Sequence, residues 1–377
     1  AILRNGSIHL TRASPGGLGL YVHFPWCVRK CPYCDFNSHP VRGHLDQVAY
    51  VDRLIEDLES ETAGVTEPIR TVFLGGGTPS LFSPASIARL LEHPALTEAD
   101  EVTLEANPGT TERGAFEDYA AHGINRVSIG VQSFDPSQLQ ILGRIHGPAE
   151  ARSAVREAVA TGIDVNVDLM FGLPRQTIDD ALADLRSAIA LEPAHLSWYQ
   201  LTIEPKTEFA RRPPQLPALD LRADIGERGA AVLHDAGFDR YEVSAYARAG
   251  KRCAHNLNYW RFGDYLGIGA GAHGKVTKDG RIMRTEKPKQ PRLYLDRGEA
   301  TIRAVPRGNV IGEFVMNALR LKEGVSHDAF TAATGMPFDA IAETVVKLVD
   351  WGLLRNDRLA ATEHGYRHLD SVVAEFI

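Results

Sequence analysis

The segment YVHFPWCVRKCPYCDF (Tyr21–Phe36) places three cysteines, Cys27, Cys31 and Cys34, in the spacing C-x3-C-x2-C directly after an apolar run that starts at Leu18. Thiolates are the usual ligands of iron–sulfur clusters, and three of them in one short loop can hold three irons of a four-iron cubane. The fourth iron then has no protein ligand, and an open metal position is what metal chemistry requires. Zinc is the competing reading, with His23 or His39 as fourth ligand. Structural zinc sites more often use paired C-x2-C elements, and no second pair exists in this chain. Inert, merely exposed thiols are the plainest alternative, but free thiols rarely cluster without a metal or redox role.

The rest of the chain is consistent with a cluster-bearing protein of the reducing cytoplasm. Of 377 residues only four are cysteine, and the fourth, Cys253, stands far from the loop. No apolar run is long enough to cross a membrane, and the opening residues lack the apolar core of a secretory signal. With 41 Lys and Arg against 48 Asp and Glu, the net charge of −7 is unsuited to general nucleic-acid binding. Hydrophobic residues at 44% and charged residues at 24% describe an ordinary globular chain.

Apolar, β-rich runs recur at Leu18–Pro25, Thr71–Gly77, Glu101–Asn107, Arg126–Ser133, Asp164–Pro174, His195–Pro205 and Arg240–Ala247. Between them lie stretches of helical periodicity at 44–62, 84–92, 111–122, 148–161, 177–191 and 218–236. In the first of these, Leu45, Val48, Val51, Leu54, Ile55 and Leu58 form the apolar face. Nearly continuous apolar strands alternating with helices predict a parallel sheet covered by helices, in the form of a partial TIM-like (β/α) barrel. A doubly wound sheet is the second choice. Three segments are expected: an N-terminal extension over 1–17, the barrel and its associated segment over 18–300, and a small, mostly helical domain over 301–377. Helical patterns at 310–322, 326–334 and 337–350, a hairpin at Leu353–Gly365 and a last helix at 366–377 follow a winged-helix order. Residues 308–377 hold six Lys and Arg against ten Asp and Glu, which argues against DNA as the partner of that domain.

In either sheet topology ligands bind at the C-terminal strand ends. Those ends carry Gly75-Gly76-Gly77-Thr78, Glu105, Gln132 and Asp168, with Arg144 shortly beyond the fourth strand. A glycine run lets backbone approach a ligand closely and offer its N–H groups. Polar residues within apolar strands need partners, and ligand groups are candidates.

The cysteine spacing after the first strand resembles the radical S-adenosylmethionine superfamily. That resemblance implies a [4Fe-4S] cluster on Cys27, Cys31 and Cys34, with S-adenosylmethionine chelating the open iron. YVHFPWC, CDFNSH, GGGTPS, LEANP, RVSIGVQSF, DLMFGLP and SAYA together look like its coproporphyrinogen oxidase-like branch over about residues 18–275. On that pattern Tyr21, Tyr33, Gly76, Gly77, Thr78, Glu105, Gln132, Arg144 and Asp168 correspond to positions around S-adenosylmethionine, and Tyr33 to the aromatic beside the adenine. Thr78 stands where other members carry an acid.

The oxidase pattern continues with a further cysteine two residues after the third; here that position is Phe36. The segment Asp35–His39 instead resembles the HemW type, heme-binding proteins described as heme chaperones. Cys253-Ala254-His255-Asn256-Leu257-Asn258-Tyr259-Trp260 resembles the H-N-x-x-Y-W stretch associated with heme handling in that type. The resemblance therefore implies a protein that binds heme, with His255 as a candidate ligand, and passes it to an acceptor protein, as a monomer or dimer. The second reading is an enzyme in which the cluster reduces S-adenosylmethionine and the resulting 5′-deoxyadenosyl radical attacks a porphyrinogen. The glycine alternation of Leu266–Gly274 predicts close approach of a ligand or another backbone. His273, Glu242 and Tyr246 are weaker candidates for the same cavity.

Overall fold

The computed structural model describes residues 17–109 and 113–377. Apart from Gly17, the expected N-terminal extension lies outside the described residues, as does the secretory-signal reading of the opening residues. Six strands run parallel in strictly sequential order: β1 (Leu18–Phe24), β2 (Ile69–Gly76), β3 (Glu101–Ala106), β4 (Arg126–Gln132), β5 (Asp164–Phe171) and β6 (His195–Gln200). Sequential order has no reversal point, so the right-handed crossovers put every connecting helix on one face. That excludes the doubly wound sheet and leaves a partial barrel with one face turned inward.

The sheet continues beyond both ends of this unit. After β6 come β7 (Asp239–Arg240) and β8 (Ala245–Ala247), with β8 antiparallel to β6. On the other side β9 (Tyr265–Ile268) runs parallel to β1 and is followed by an antiparallel meander of β10 (His273–Lys278), β11 (Arg281–Glu286) and β12 (Thr301–Ala304). The full order is β12-β11-β10-β9-β1-β2-β3-β4-β5-β6-β8-β7. The stretch expected as one strand over Arg240–Ala247 is thus broken in the middle. Glu242 accepts from both the N–H and hydroxyl of Ser244 at 2.9 Å, which makes a turn there.

The strands are not continuously apolar. They alternate, and the alternation sorts the two faces. Leu20, Val22, Phe24, Val72, Leu74, Leu104, Val127, Ile129, Val165, Val167, Leu196 and Trp198 face the helices and form the main core. Each fully buried aliphatic side chain of this kind contributes about 1.5–3 kcal/mol. The intervening positions, among them Glu105, Ser128, Gln132, Asn166, Asp168, Ser197 and Tyr199, point into the barrel. The first helix (Gln47–Thr62) starts at the N-cap Asp46, whose side chain accepts from Ala49 N–H, and it buries Tyr50, Val51, Leu54 and Leu58. Val48, expected on that face, is 62% exposed, because the helix presents Tyr50 to the sheet instead.

A second core gathers Phe314, Phe330, Leu348, Leu354, Leu359 and Val372, with Phe262 and Ile282 from the sheet side packed into it. Its helices are Arg307–Ala318, His327–Thr334 and Ala342–Asp350. The expected hairpin is narrow: it pairs Leu354 with Ala361, while Val325 pairs with Leu359. A short helix, Glu363–Arg367, already begins within the stretch read as hairpin, and a second one, Leu369–Ala374, follows.

Candidate functional site

A cleft of about 410 Å³ opens at the C-terminal ends of the parallel strands. Its walls include Cys27, Cys31, Cys34, Tyr33, Gly76, Gly77, Thr78, Glu105, Gln132, Arg144 and Asp168, so residues from six separate segments converge there. The three thiols are partly exposed and none is in a disulfide. Burial pushes the Cys27 thiol up to about 11 and raises Cys34 as well. Among the described residues no three His, Cys, Asp or Glu side chains are gathered to hold one metal ion. Three partly exposed thiols in one loop at the edge of an open cleft fit the donor set of an iron–sulfur cluster. His23, one of the proposed fourth zinc ligands, has both ring nitrogens engaged: Nδ1 with Tyr21 OH at 2.9 Å and Nε2 with the Asn37 carbonyl at 2.8 Å.

The cysteine loop is tied to the glycine stretch by backbone. Gly77 N–H donates to Phe24 O and Thr78 N–H to Trp26 O, both at 2.7 Å, and Gly76 N–H donates to Glu105 Oε2 at 2.9 Å. These amides are therefore already bonded, which corrects the expectation that they reach out to a ligand. Glycine is needed here for a different reason. A Cβ at Gly76, whose φ is +108°, would stand 2.3 Å from the His23 ring. Gly269 fulfils the expectation for its own stretch: its φ is +98° and a Cβ would meet the His23 carbonyl at 2.3 Å. The glycine alternation thus admits the backbone that leads into the cysteine loop.

Arg144 sits beside the cysteines. Its Nη1 donates to Cys31 Sγ at 3.6 Å, and its Nη2 to Asn107 Oδ1 at 2.5 Å and Gly130 O at 2.6 Å. Glu105 and Asp168 form the acidic floor. Burial pushes Glu105 up to about 7, opposed by the Gly76 amide and reinforced by Asp168. Asp168 is raised by burial too, though it accepts from Ser128 Oγ and Asn166 Nδ2, each at 2.8 Å. Gln132 adopts a left-handed φ of +71° at the point where the β4–β5 register shifts, and its Oε1 accepts from Tyr199 OH at 2.5 Å. A non-glycine residue held there is strained, a feature that concentrates at functional sites. Tyr33 packs its ring into a small apolar group with Leu142, Met170, Leu201 and Phe209.

Tyr21 does not line the cleft. It lies deeper in the barrel, stacked on Phe73 at 6.3 Å, and burial holds its hydroxyl far above its ordinary pKa. His255 lies at the other end of the strands. It is wholly buried, its Nδ1 bonded to Thr71 Oγ1 at 2.9 Å and its Nε2 to Tyr259 OH at 2.8 Å. In this arrangement neither nitrogen is available to an iron, and burial lowers the ring to about 3. Thr71 lies near the start of β2 and Gly76 ends it, roughly 17 Å apart for five residues of strand. Cys253 is buried beside His255, with its thiol on Glu101 Oε1 at 3.4 Å. Glu242 is bound to Arg320, Tyr246 is in the main core, and His273 stands half-exposed near Glu286, so none of the three lines the cleft.

Asn107, Ser128, Ser197 and Tyr199 line the cleft and were not singled out in the sequence. The signal that finds them is the period-two alternation itself: in β4, Ser128, Gly130 and Gln132 interleave with Val127, Ile129 and Val131.

An open barrel with three cysteines at its mouth defines a radical S-adenosylmethionine protein, and the family model described as "Radical SAM superfamily" matches residues 21–188. A second model, "HemN C-terminal domain", matches residues 305–368. The chain is 49% identical to "Heme chaperone HemW" of Escherichia coli, covering 96% of this chain and 98% of that one, and 48% identical to the protein of the same name in Haemophilus influenzae, with the same coverage. It is also 36% identical to "Radical S-adenosyl methionine domain-containing protein 1, mitochondrial" of Bos taurus, covering 95% of this chain and 87% of that one. The chain belongs to the HemW family. The solved structure of coproporphyrinogen III oxidase (HemN) from Escherichia coli shares the fold, with a TM-score of 0.81 over 100% of this chain and 92% of that one at 22% identity.

Proposed function

We propose that this chain is a heme chaperone: it binds heme and hands it to an acceptor protein, on a scaffold that carries a [4Fe-4S] cluster and S-adenosylmethionine. The observation that carries the reading is its near-full-length likeness to proteins named for that activity. Phe36 in place of a further cysteine counts against the oxidase alternative. Three free thiols also fit a reducing compartment such as the cytoplasm. Among the described residues no helix is long and apolar enough to cross a membrane.

Cys27, Cys31 and Cys34 would hold the cluster, and Tyr33, Gly76, Gly77, Thr78, Glu105, Gln132, Arg144 and Asp168 would surround S-adenosylmethionine. When bound, the cluster supplies an iron that no protein ligand occupies and that can exchange one electron. The Arg144 guanidinium, held by Asn107 and Gly130 beside Cys31, offsets part of the negative charge that such a cluster brings. Glu105, titrating at about 7, can hold or release a proton at its carboxyl near neutral pH and so match either a donor or an acceptor. Asp168 is kept in one orientation by Ser128 and Asn166, and Asn166 is held in turn by His195 Nδ1 at 2.6 Å.

The test is transfer. Anaerobically purified protein loaded with heme should restore heme to a heme-free respiratory enzyme and show no coproporphyrinogen decarboxylation with S-adenosylmethionine and reductant. Robust decarboxylation without transfer would overturn the chaperone reading in favour of the oxidase.

A further inference from the structure

Four large apolar side chains on the segments beside the cleft are exposed, and one of them, Phe36, lines it. Val28 and Phe36, from the cysteine loop, are 42% and 59% exposed; Ile141 and Ile145, from the segment after β4, are 38% and 45% exposed. The two segments are in contact, since a Cβ at Gly143 would stand 2.7 Å from Pro32 Cδ and Arg144 reaches Cys31. Exposed apolar side chains gathered on two touching segments beside a cleft are the kind of surface that marks a binding site. Beside these segments lies a second recess of about 400 Å³, lined by Arg29, Arg144 and His146 with no acidic side chain. Arg29 lines both the recess and the main cleft, and no ion pair engages it among the described residues.

We infer that this rim is the heme seat: Val28 and Phe36 on one lip and Ile141 and Ile145 on the other contact the porphyrin face, and Arg29 receives a propionate carboxylate in the basic recess. The inference rests on the heme-chaperone reading and specifies where the cargo lies. The chemistry of the surface selects the occupant. A porphyrin is a flat apolar disc that bears carboxylates at one edge, and an apolar rim next to a basic recess presents the complement of both. Aromatic side chains cover such a face well, and a guanidinium pairs with a carboxylate in bidentate fashion. Phe36 thereby gains a positive role. At the position where the oxidase pattern has a thiol, this chain holds out an aromatic ring. His255, sealed at the far end of the strands, takes no part.

The experiment is titration of the full chain with ferric heme and with heme dimethyl ester, followed by the Soret band. Phe36→Ser and the double change Ile141→Ser/Ile145→Ser should each weaken heme binding about tenfold or more. Ile141 and Ile145 lie outside the cysteine loop, so the second variant separates loss of the seat from damage to the loop, and iron content measured alongside checks this. Arg29→Gln should weaken heme several-fold and leave the dimethyl ester, which lacks the charges, unchanged. A control pair on another surface, Leu293→Ser/Leu295→Ser, should bind as the parent does. If the rim variants keep parental affinity, or the control pair loses as much, the seat is overturned while the chaperone reading stands. If the parent takes up no heme, that reading fails and the seat with it.

Discussion

At the C-terminal ends of β1–β4, Cys27, Cys31 and Cys34 stand partly exposed around a cleft, with a strained Gln132 and two buried carboxyls for neighbours. At the N-terminal ends of the same strands, Cys253, His255 and Tyr259 bring similar chemistry and leave none of it available. There His255 bridges Thr71 to Tyr259, and Glu101 accepts the N–H groups of Ala254 and His255 at 2.9 Å. The helix that carries them, Ala254–Trp260, closes the floor of the barrel and fastens it to the second core through Arg320 over Trp260 at 4.3 Å and Arg261 paired with Glu323. One end leaves its thiols and carboxyls around an open cleft, within reach of a ligand. The other uses the same residue types as a satisfied structural plug. What a cysteine or histidine can do is decided by which bonds its surroundings have already made.

The largest effect that tests this contrast is on cluster content. Cys27→Ala/Cys31→Ala/Cys34→Ala should reduce iron and sulfide from about four of each per chain to almost none. The unfolding free energy of the iron-free protein should change by less than about 1 kcal/mol, as for other changes away from packed cores. A large loss of iron-free stability would show that the loop is part of the framework.

His255→Ala should do the opposite. It empties a fully buried position and strips Thr71 and Tyr259 of their shared partner, at a cost of about 2–4 kcal/mol in urea unfolding. Iron content should be retained. Loss of iron at unchanged stability would move the functional site to the barrel floor.

The smallest effect is the pH dependence of the open end. Glu105 is ordinarily a 4.5 acid and titrates at about 7 in the fold. Because its folded value is raised, the folded chain holds an extra proton between those two values. Stability from this group is therefore complete below pH 4.5 and is lost as pH rises through 7, by on the order of 3 kcal/mol. Glu105→Gln keeps an acceptor for Gly76 N–H and should flatten that part of the profile for the iron-free protein. An unchanged slope would mean that another group, such as Asp168, carries it.

The order of strands and helices in the barrel was legible in the sequence because burial against helices demands apolar residues at regular positions. The cysteine loop and the strand-end residues Glu105, Gln132 and Asp168 were legible because thiols in tight spacing and polar groups within apolar strands are rare without a reason. The antiparallel strands β10–β12 were not. Charged residues at their exposed and partly exposed positions, such as Lys278, Arg281 and Arg303, break up the apolar pattern, so no clear periodicity marks them. The inward role of Ser128 and Tyr199 was carried by the period-two alternation alone, since small and aromatic residues in strands read equally well as packing.

The sequence by itself determined that three thiols cluster at the end of a first strand, that a βα array follows, and that a cysteine expected of the oxidase pattern is a phenylalanine. Only the tertiary structure decided which of the remaining chemical groups face the opening. His255, prominent as a motif, is sealed in the floor, while Phe36, notable as an absence of sulfur, is held out at the rim. The reason is geometric. Spacing along the chain determines which side chains a loop or helix can bring together. Whether a lone pair or a ring face remains free depends on partners far away in sequence, such as Thr71 for His255, a separation of 184 residues.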